Sequence, residues 1–323
     1  MAAKISMKIL ITGSSGYVGY VLAKHFSEKG IKVVGIDLAP NHAWLGNKDF
    51  VFYKCDITDR TRLFKIFGKE KPTHVIHLAY LMNPLHDVKR EYAIDVKCSM
   101  YTLQAADATK TVKQFIQFSS TSAYGAWPNN KPWIKEEQIL RPRDYRYGIN
   151  KKKVEEIYNN FPKRKDLKMV IMRMCTALGP LYHKPGGVVA ILTNAPLMIK
   201  FGGRYCELQF PHEDDLTALI ELVANDNKVE GTFNLCPDSY ATTKQLAKDK
   251  LFIPMPLWLM RGIVSVLWTL HLAEMRAAAM TLSTYGIIAD PGKLMKRYNY
   301  KFKYSTYSGF VQTVKERKRL GTL

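Results

Sequence analysis

Residues 7–40 read MKILITGSSGYVGYVLAKHFSEKGIKVVGIDLAP. "MKILIT" (7–12) is a short apolar run of the kind that forms a buried strand. It leads straight into Gly13, Gly16 and Gly19, a GxxGxxG spacing. A helical pattern follows over 17–29, and a second apolar run, "KVVGI", occupies 32–36. Strand, glycine loop, helix and strand make one turn of a parallel β-α-β unit. Glycines in such a loop let the chain turn tightly and let backbone N–H groups approach a pyrophosphate. The helix beyond offers its positive N-terminal end to the same anion. Three glycines alone are weak evidence; three glycines between a strand and a helix are much stronger.

Asp37 ends the second strand, 18 residues after Gly19. A carboxylate at that tip accepts hydrogen bonds from adenosine ribose hydroxyls and repels a 2′-phosphate. The plainer reading is a turn aspartate before Pro40. Beside the glycine loop we assign it to the ribose, and with Leu38 and Ala39 following it we expect NAD as cofactor rather than NADP.

The alternation continues. "FVFYK" (50–54), "THVIHL" (73–78), "QFIQFS" (114–119) and "KMVIMR" (168–173) read as further buried strands. Helices are predicted near 59–67, 87–109 and 144–160. The strands are nearly continuous in apolar residues, as a sheet covered on both faces requires. The fold class is therefore α/β, a doubly wound, Rossmann-like parallel sheet. We place a dinucleotide-binding domain at 1–173 and a smaller C-terminal substrate-binding region at 174–323, with about 205–240 returning to the sheet. In that second half, helices are expected at 187–195, 213–225, 242–249 and 256–272, and "TFNLC" (232–236) as the returning strand.

Composition narrows the function. The chain has 323 residues, 47% of them hydrophobic and 24% charged, as is ordinary for a globular protein. The five cysteines lie far apart without a CxxC pair, which argues against a disulfide framework or zinc site and suits a reducing compartment. The first residues show no apolar run with a cleavage site, so no signal peptide is expected and a cytoplasmic location is. Net charge is +20, but the basic residues are spread over many segments instead of being concentrated on one element. That distribution points away from nucleic acid and toward an anionic ligand or membrane surface.

"YRYGINKKK" (145–153) sets Tyr147 four residues before Lys151. Positions i and i+4 share one helix face, which Val154 and Tyr158 continue. A phenol titrates near pH 10, and a neighbouring ammonium lowers that value. The pair can then exchange a proton with a substrate hydroxyl. Lys152 and Lys153 fall on other faces and read as solvated surface. His74 and His77, three apart on one strand, face opposite sides and read as core or strand-end histidines, with no metal expected.

The motifs together resemble the extended short-chain dehydrogenase/reductase superfamily, in its NAD-dependent epimerase/dehydratase family. "TGSSGYVG" is similar to the family's TGxxGxxG, in which Tyr17 and Val18 join the glycines. "CDITD" (55–59) resembles the segment whose Asp56 and Ile57 meet the adenine. "HLAY" (77–80) resembles the fourth-strand motif that lines the cofactor through Leu78, Ala79 and Tyr80. "SSTSAYG", "YGINK", "RMCTALGP" and "FPHEDDLTALI" resemble four later motifs, in order. The resemblance implies hydride transfer between nicotinamide C4 and a secondary alcohol or ketone carbon, with Tyr147 as acid/base. Lys151 would hold the nicotinamide ribose, and Ser120 would stabilise charge on the reacting oxygen. Ser119, Thr121 and Ser122 compete for that last position. A small-molecule substrate and a homodimer are implied. His212, Asp214 and Asp215 are expected to fix local structure and cap a helix.

The chain also departs from the family pattern. Asp95 stands where many members carry asparagine, and is either part of a proton relay or a solvated carboxylate. Cys98 replaces a common glycine. Thr176 and Leu208 replace two polar anchors of nucleotide sugars, and Arg204 or Lys184 could hold a diphosphate instead. Thr121 and Ser122 stand where dehydratases carry an acidic pair, which disfavours dehydration. Net oxidation or reduction, epimerisation, and non-catalytic NAD sensing remain. The apolar segment 254–275 has three readings: a buried helix over the substrate site, an interfacial membrane helix, or a partner-binding face. The first is carried forward, and with it a substrate that has an apolar part.

Overall fold

Seven strands form one parallel sheet, in a computed structural model that describes residues 7–40, 48–182 and 187–323. They are β1 (Lys8–Thr12), β2 (Lys32–Asp37), β3 (Phe50–Lys54), β4 (His74–His77), β5 (Gln114–Ser120) and β6 (Lys168–Met174), joined late by a strand at Gly231–Leu235. The spatial order is β3, β2, β1, β4, β5, β6 and then the late strand. The order reverses between β1 and β4. Ligands of open parallel sheets bind in the crevice outside the strands' carboxyl ends at such a switch point.

Both faces are covered, and the strand period of two sorts the side chains. Ile9 and Ile11 pack on one face with Leu22 and Phe26 of α1 (Tyr17–Glu28) and with Leu216, Leu219 and Val223 of a helix at Glu213–Asn225. Leu10, between them, packs on the other face with Leu63 and Phe67 of α2 (Arg60–Glu70). Leu103 and Val154, on helices at Cys98–Ala108 and Arg146–Asn160, join that second core. Alternating isoleucine and leucine on two buried faces explains why these strands read as unbroken apolar runs. His77 bonds to Ser99 on one side and His74 lies beside Ala224 on the other, so the two histidines do face apart.

The helix expected over 87–109 is interrupted. Val88–Tyr92 and Cys98–Ala108 are α-helical, and Ala93–Lys97 between them is one π turn. Such turns insert an extra residue and recur at functional sites.

Beyond β6 two small ribbons went unread in the sequence. Leu197–Phe201 pairs in parallel with Leu251–Met255, and Glu207–Leu208 runs antiparallel to Ala241–Thr242. The segment 254–275 requires a correction. It forms a helix at Leu257–Thr269, but only Val264 on it is buried, and Trp258 is 74% exposed. It is not the buried helix expected over the substrate site. Among the described residues no helix is long and apolar enough to cross a membrane.

Candidate active site

The glycine loop leaves β1 in the conformation an anion cradle needs. Gly13 has φ +73°, and a Cβ there would lie 2.7 Å from the backbone N of Ala79. A Cβ on Gly19 would lie 2.1 Å from the Gly13 oxygen, so the helix can start only against a bare loop. No side chain caps the N-terminus of α1 at Gly16. Its first N–H groups are left for a ligand. Asp37 is held at the rim: its Oδ2 accepts from Ser15 N at 2.9 Å and its Oδ1 from Leu38 N at 2.7 Å.

The other cofactor positions fall around this loop. Leu78, Ala79 and Tyr80 follow β4 directly and are half-buried. Asp56 is exposed and tied by its carboxylate to Thr58, while Ile57 is buried. Val18 packs into the core. Tyr17 does not point at the loop: its hydroxyl donates to Glu213 Oε2 at 2.7 Å, leaving its backbone N–H as its only group toward an anion.

The proton-transfer group assembles from β5 and the helix Arg146–Asn160. Gly148, next to Tyr147, makes the approach feasible, since a Cβ there would lie 2.6 Å from the Ser122 oxygen. Of the four competing hydroxyls, that of Ser120 is the one that acts on the Tyr147 phenol, lowering it. Ser119 donates to buried Glu155, Thr121 is buried, and Ser122 Oγ donates to Ser120 Oγ at 3.0 Å. Burial pushes the Tyr147 phenol up, and the Ser120 hydrogen bond works against it.

Lys151 shares the face of Tyr147, with its Nζ 5.5 Å from that ring centroid. Nζ donates to Phe118 O at 2.8 Å and sits 3.5 Å from the centroid of Tyr80. The Tyr80 ring in turn meets Tyr147 edge-on at 5.1 Å. Burial lowers the Lys151 ammonium and Asp95 partly restores it. Behind the lysine, one turn on, Glu155 is locked to Arg173, with Nη2 to Oε2 at 2.7 Å. Arg173 also reaches Tyr124, whose hydroxyl donates to Asn234 on the late strand.

Asp95 lies on the π turn and is 1% exposed, so its reading as a solvated carboxylate is overturned. Its oxygens accept from Leu81 N at 3.0 Å and from Asn150 Nδ2 at 3.2 Å. Burial raises its carboxyl. It lines a cleft with Tyr147, Tyr145, Leu81, Glu91, Arg146 and Arg276. Glu91, Arg146 and Arg276 went unread in the sequence; only the adjacency of Arg146 to Tyr147 could have flagged one of them.

A model of one protein family matches residues 9–236, most of the chain, and the strand order, glycine loop and tyrosine-lysine helix described above fall within it. The chain belongs to the NAD-dependent epimerase/dehydratase family. It is 26% identical over 266 residues to a dTDP-D-glucose 4,6-dehydratase of Dictyostelium discoideum, covering 75% of this chain and 61% of that protein. It is 30% identical over 178 residues to a UDP-glucose 4-epimerase of Rhizobium leguminosarum bv. trifolii, covering 53% and 52%. The chain thus spans little more than half the length of these relatives. Among solved structures, the Bordetella bronchiseptica enzyme WbmG, in complex with NAD and UDP, shares the fold. The TM-score is 0.79 at 19% identity, covering 100% of this chain and 97% of that one. The UDP-glucose 4-epimerase of Thermotoga maritima, with UDP-glucose, gives 0.78 at 24% identity, covering 97% and 99%.

The family's name specifies NAD, and the residues here fit it. The bare loop at Gly13 and Gly19, the uncapped helix end and the Asp37 carboxylate form a cradle that larger side chains would fill. We expect NAD to bind at least tenfold tighter than NADP, about 1.4 kcal/mol, because Asp37 would meet the 2′-phosphate. Titrating both cofactors at one salt concentration checks this; equal affinities would refute it.

Late family positions serve structure, as expected. His212 caps the helix Glu213–Asn225, with Nδ1 accepting from Asp214 N, and Asp215 accepts from Tyr300 Oη, Lys303 N and Tyr304 N. Thr176 is exposed and Leu208 packs into a C-terminal apolar cluster. Arg204 rests over Tyr285, and Lys184 lies outside the described residues.

Glu213 clasps the cofactor helix through Tyr17 and also accepts from Leu181 N. Burial raises its carboxyl from 4.5 to about 7. Between those values the folded chain binds a proton the unfolded chain has lost, so stability falls as pH rises through that window. Glu213→Gln should flatten the fall. Thermal melts across the window check this; identical slopes in both proteins would contradict it.

Proposed function

We propose that the chain is an NAD-dependent oxidoreductase or epimerase acting at a secondary alcohol or ketone carbon, with a nucleotide sugar as substrate. The observation that carries the reading is Lys151 beneath the rings of Tyr147 and Tyr80, with Ser120 acting on the same phenol. Bound NAD would supply the hydride acceptor and donor at nicotinamide C4. Tyr147 exchanges the proton with the substrate hydroxyl or the product carbonyl. Burial favours its protonated form, and the positive nicotinamide of bound NAD would lower the phenol toward the phenolate that accepts a proton. Lys151 stands one helical turn away with its own ammonium lowered by burial, so its share of positive charge depends on pH. The Ser120 hydroxyl donates to the oxygen on which negative charge develops.

A non-catalytic sensor has no use for this constellation, and all three groups are present and in contact range. Trp258, Ile263 and Leu267 are exposed, so they do not form the buried apolar wall expected over the site. The cleft beside Tyr147 is lined by Leu81, Met82, Pro84 and Ala278 as well as by Glu91, Asp95, Arg146 and Arg276. The relatives' names support a nucleotide sugar. Thermal shift of the NAD-loaded protein with UDP, dTDP and GDP sugars tests this. Binding of one of them below about 100 μM, roughly 5.5 kcal/mol, is expected. Turnover of a hydrophobic alcohol with no response to any of these sugars would overturn it.

The helix Leu257–Thr269 supports a second partner, a lipid surface. Trp258, Leu259, Ile263, Val266 and Leu267 are exposed on it, Leu270 just beyond it, and Leu251 and Ile253 on the strand before it. Lys200 pairs in register with Pro254 beside this face, and Lys250 precedes the strand. An apolar helix beside cations, on a chain of net charge +20, suits an anionic membrane surface. We expect the protein to sediment with vesicles containing phosphatidylglycerol and not with phosphatidylcholine alone, and Trp258→Glu/Ile263→Glu to abolish this. Equal recovery of both proteins in the supernatant would contradict it.

A further inference from the structure

The helix Leu257–Thr269 meets the rim of the cleft at its last turn, through stacked rings. His86 stands two residues past Pro84 of the cleft wall and lays its imidazole on Trp268, with centroids 3.8 Å apart and planes 11° from parallel. The same imidazole stacks on His271, at 4.1 Å and 21°. Trp268 is half-buried there, on a helix whose other apolar side chains are mostly exposed. His271 holds its place at a backbone cost. Its φ is +60°, in the left-handed region, at the turn where its N–H donates to Trp268 O and Leu272 N donates to Leu267 O. Glycine is the usual residue in that position, and a side chain there is strained.

The charges that face this stack are of one sign. Arg276 lies 4.9 Å over the Trp268 ring and donates from Nη2 to Leu85 O at 2.7 Å. It thereby ties its own cleft wall, with Ala278, to the opposite wall of Leu81, Met82 and Pro84. Burial and Arg146 hold Arg276 less basic. The carboxylates nearby are committed elsewhere. Asp87 caps the helix Val88–Tyr92 through Arg90 N, and Glu91 accepts from Leu85 N and faces Arg146. Glu274, three residues past His271, is exposed to solvent. Loss of water, His271 and Arg276 hold the His86 imidazole below its ordinary 6.5. A proton on His86 would be attracted to the Trp268 ring, but Arg276 already lies over that ring, and His271 and Arg276 both oppose the new charge.

We propose that the His86–Trp268–His271 stack is an acid-released clasp that pins the two walls of the cleft together. An imidazole set free takes its proton near the ordinary value of about 6.5, and the stacked one only below it. The clasped form therefore has its full stability above that value and loses it as pH falls. Release frees the loop that follows β4. That loop runs directly from Tyr80, whose ring touches both Lys151 and Tyr147, so opening at the rim bears on the proton-transfer group. Acid would then change access to the cleft without titrating any group placed in the reaction.

The test is hydrogen exchange of the full chain, read by mass spectrometry at about pH 7.5 and about pH 5.5, either side of the histidine range. Rates are corrected for the intrinsic pH dependence of exchange. In the wild-type protein the segments 81–92 and 265–278 should open at least tenfold more often at the lower pH, while β5 stays unchanged. His86→Phe keeps a ring on Trp268 without a titrating group, and should exchange equally at both pH values. His271→Gly suits the left-handed backbone position, so it folds without strain, and the loss of one opposing ring should shrink the pH response. A wild-type protein with no response, or a response of the same size in His86→Phe, would overturn the clasp. Neither substrate nor NAD is needed, so failure of the proposed reaction leaves this test intact.

Discussion

Tyr147→Phe should keep NAD affinity and lose at least about a hundredfold in turnover, the usual contribution of a positioned general acid or base. The substitution removes one oxygen and leaves the ring. The ring holds its edge-on contact with Tyr80, so the cleft keeps its shape. What goes is the phenol oxygen that exchanges the proton. Lys151→Ala should behave differently. It removes an ammonium that touches both Phe118 O and the Tyr80 face, so cofactor affinity and turnover should fall together. Steady-state kinetics with a separate NAD titration tells the two patterns apart. Near-normal turnover in Tyr147→Phe would remove the tyrosine from the chemistry.

Arg173→Met should destabilise the chain by about 3–5 kcal/mol, a large part of any domain's stability. Arg173 and Glu155 are 6% and 1% exposed, and the arginine makes three hydrogen bonds to that carboxylate. Without it Glu155 stays buried with Ser119 as its remaining partner. The double substitution Arg173→Met/Glu155→Leu should recover most of the loss, because it removes the stranded charge as well as its partner. Urea unfolding of the two variants checks this. A single variant within about 1 kcal/mol of wild type would show that the pair is not the brace described here. The brace matters to function because it stands one turn behind Lys151 and joins the helix carrying Tyr147 to β5 and β6.

The sheet half was legible in the sequence because its physics is local. Runs such as KILIT and KVVGI bury every side chain but the first lysine as strands covered on both faces, and the glycine loop follows directly from the first of them. The pair Tyr147 and Lys151 was legible for the same reason: helical geometry alone fixes that they share a face. The rest depends on contacts between distant parts of the chain. Tyr17 was read with the loop, yet its hydroxyl is drawn to Glu213, 196 residues away. Asp95 could be read as a proton-relay group or a solvated carboxylate, and only the π turn that carries it under Leu81 removes the second. The helix Leu257–Thr269 misled most, since an apolar period shows that a face avoids water and not whether protein or lipid covers it.

The claim at the centre is that this cleft moves hydride between a substrate carbon and NAD while Tyr147 moves the proton. Substrate carrying deuterium on its reacting carbon, mixed with the NAD-loaded protein and quenched in alkali part-way through a single turnover, tests it directly. The account predicts deuterium on the reduced nicotinamide, or carried back to the product carbon without loss to water, with the wild-type protein, and almost no transfer with Tyr147→Phe. Turnover that releases the deuterium to water and leaves the nicotinamide unlabelled would contradict it.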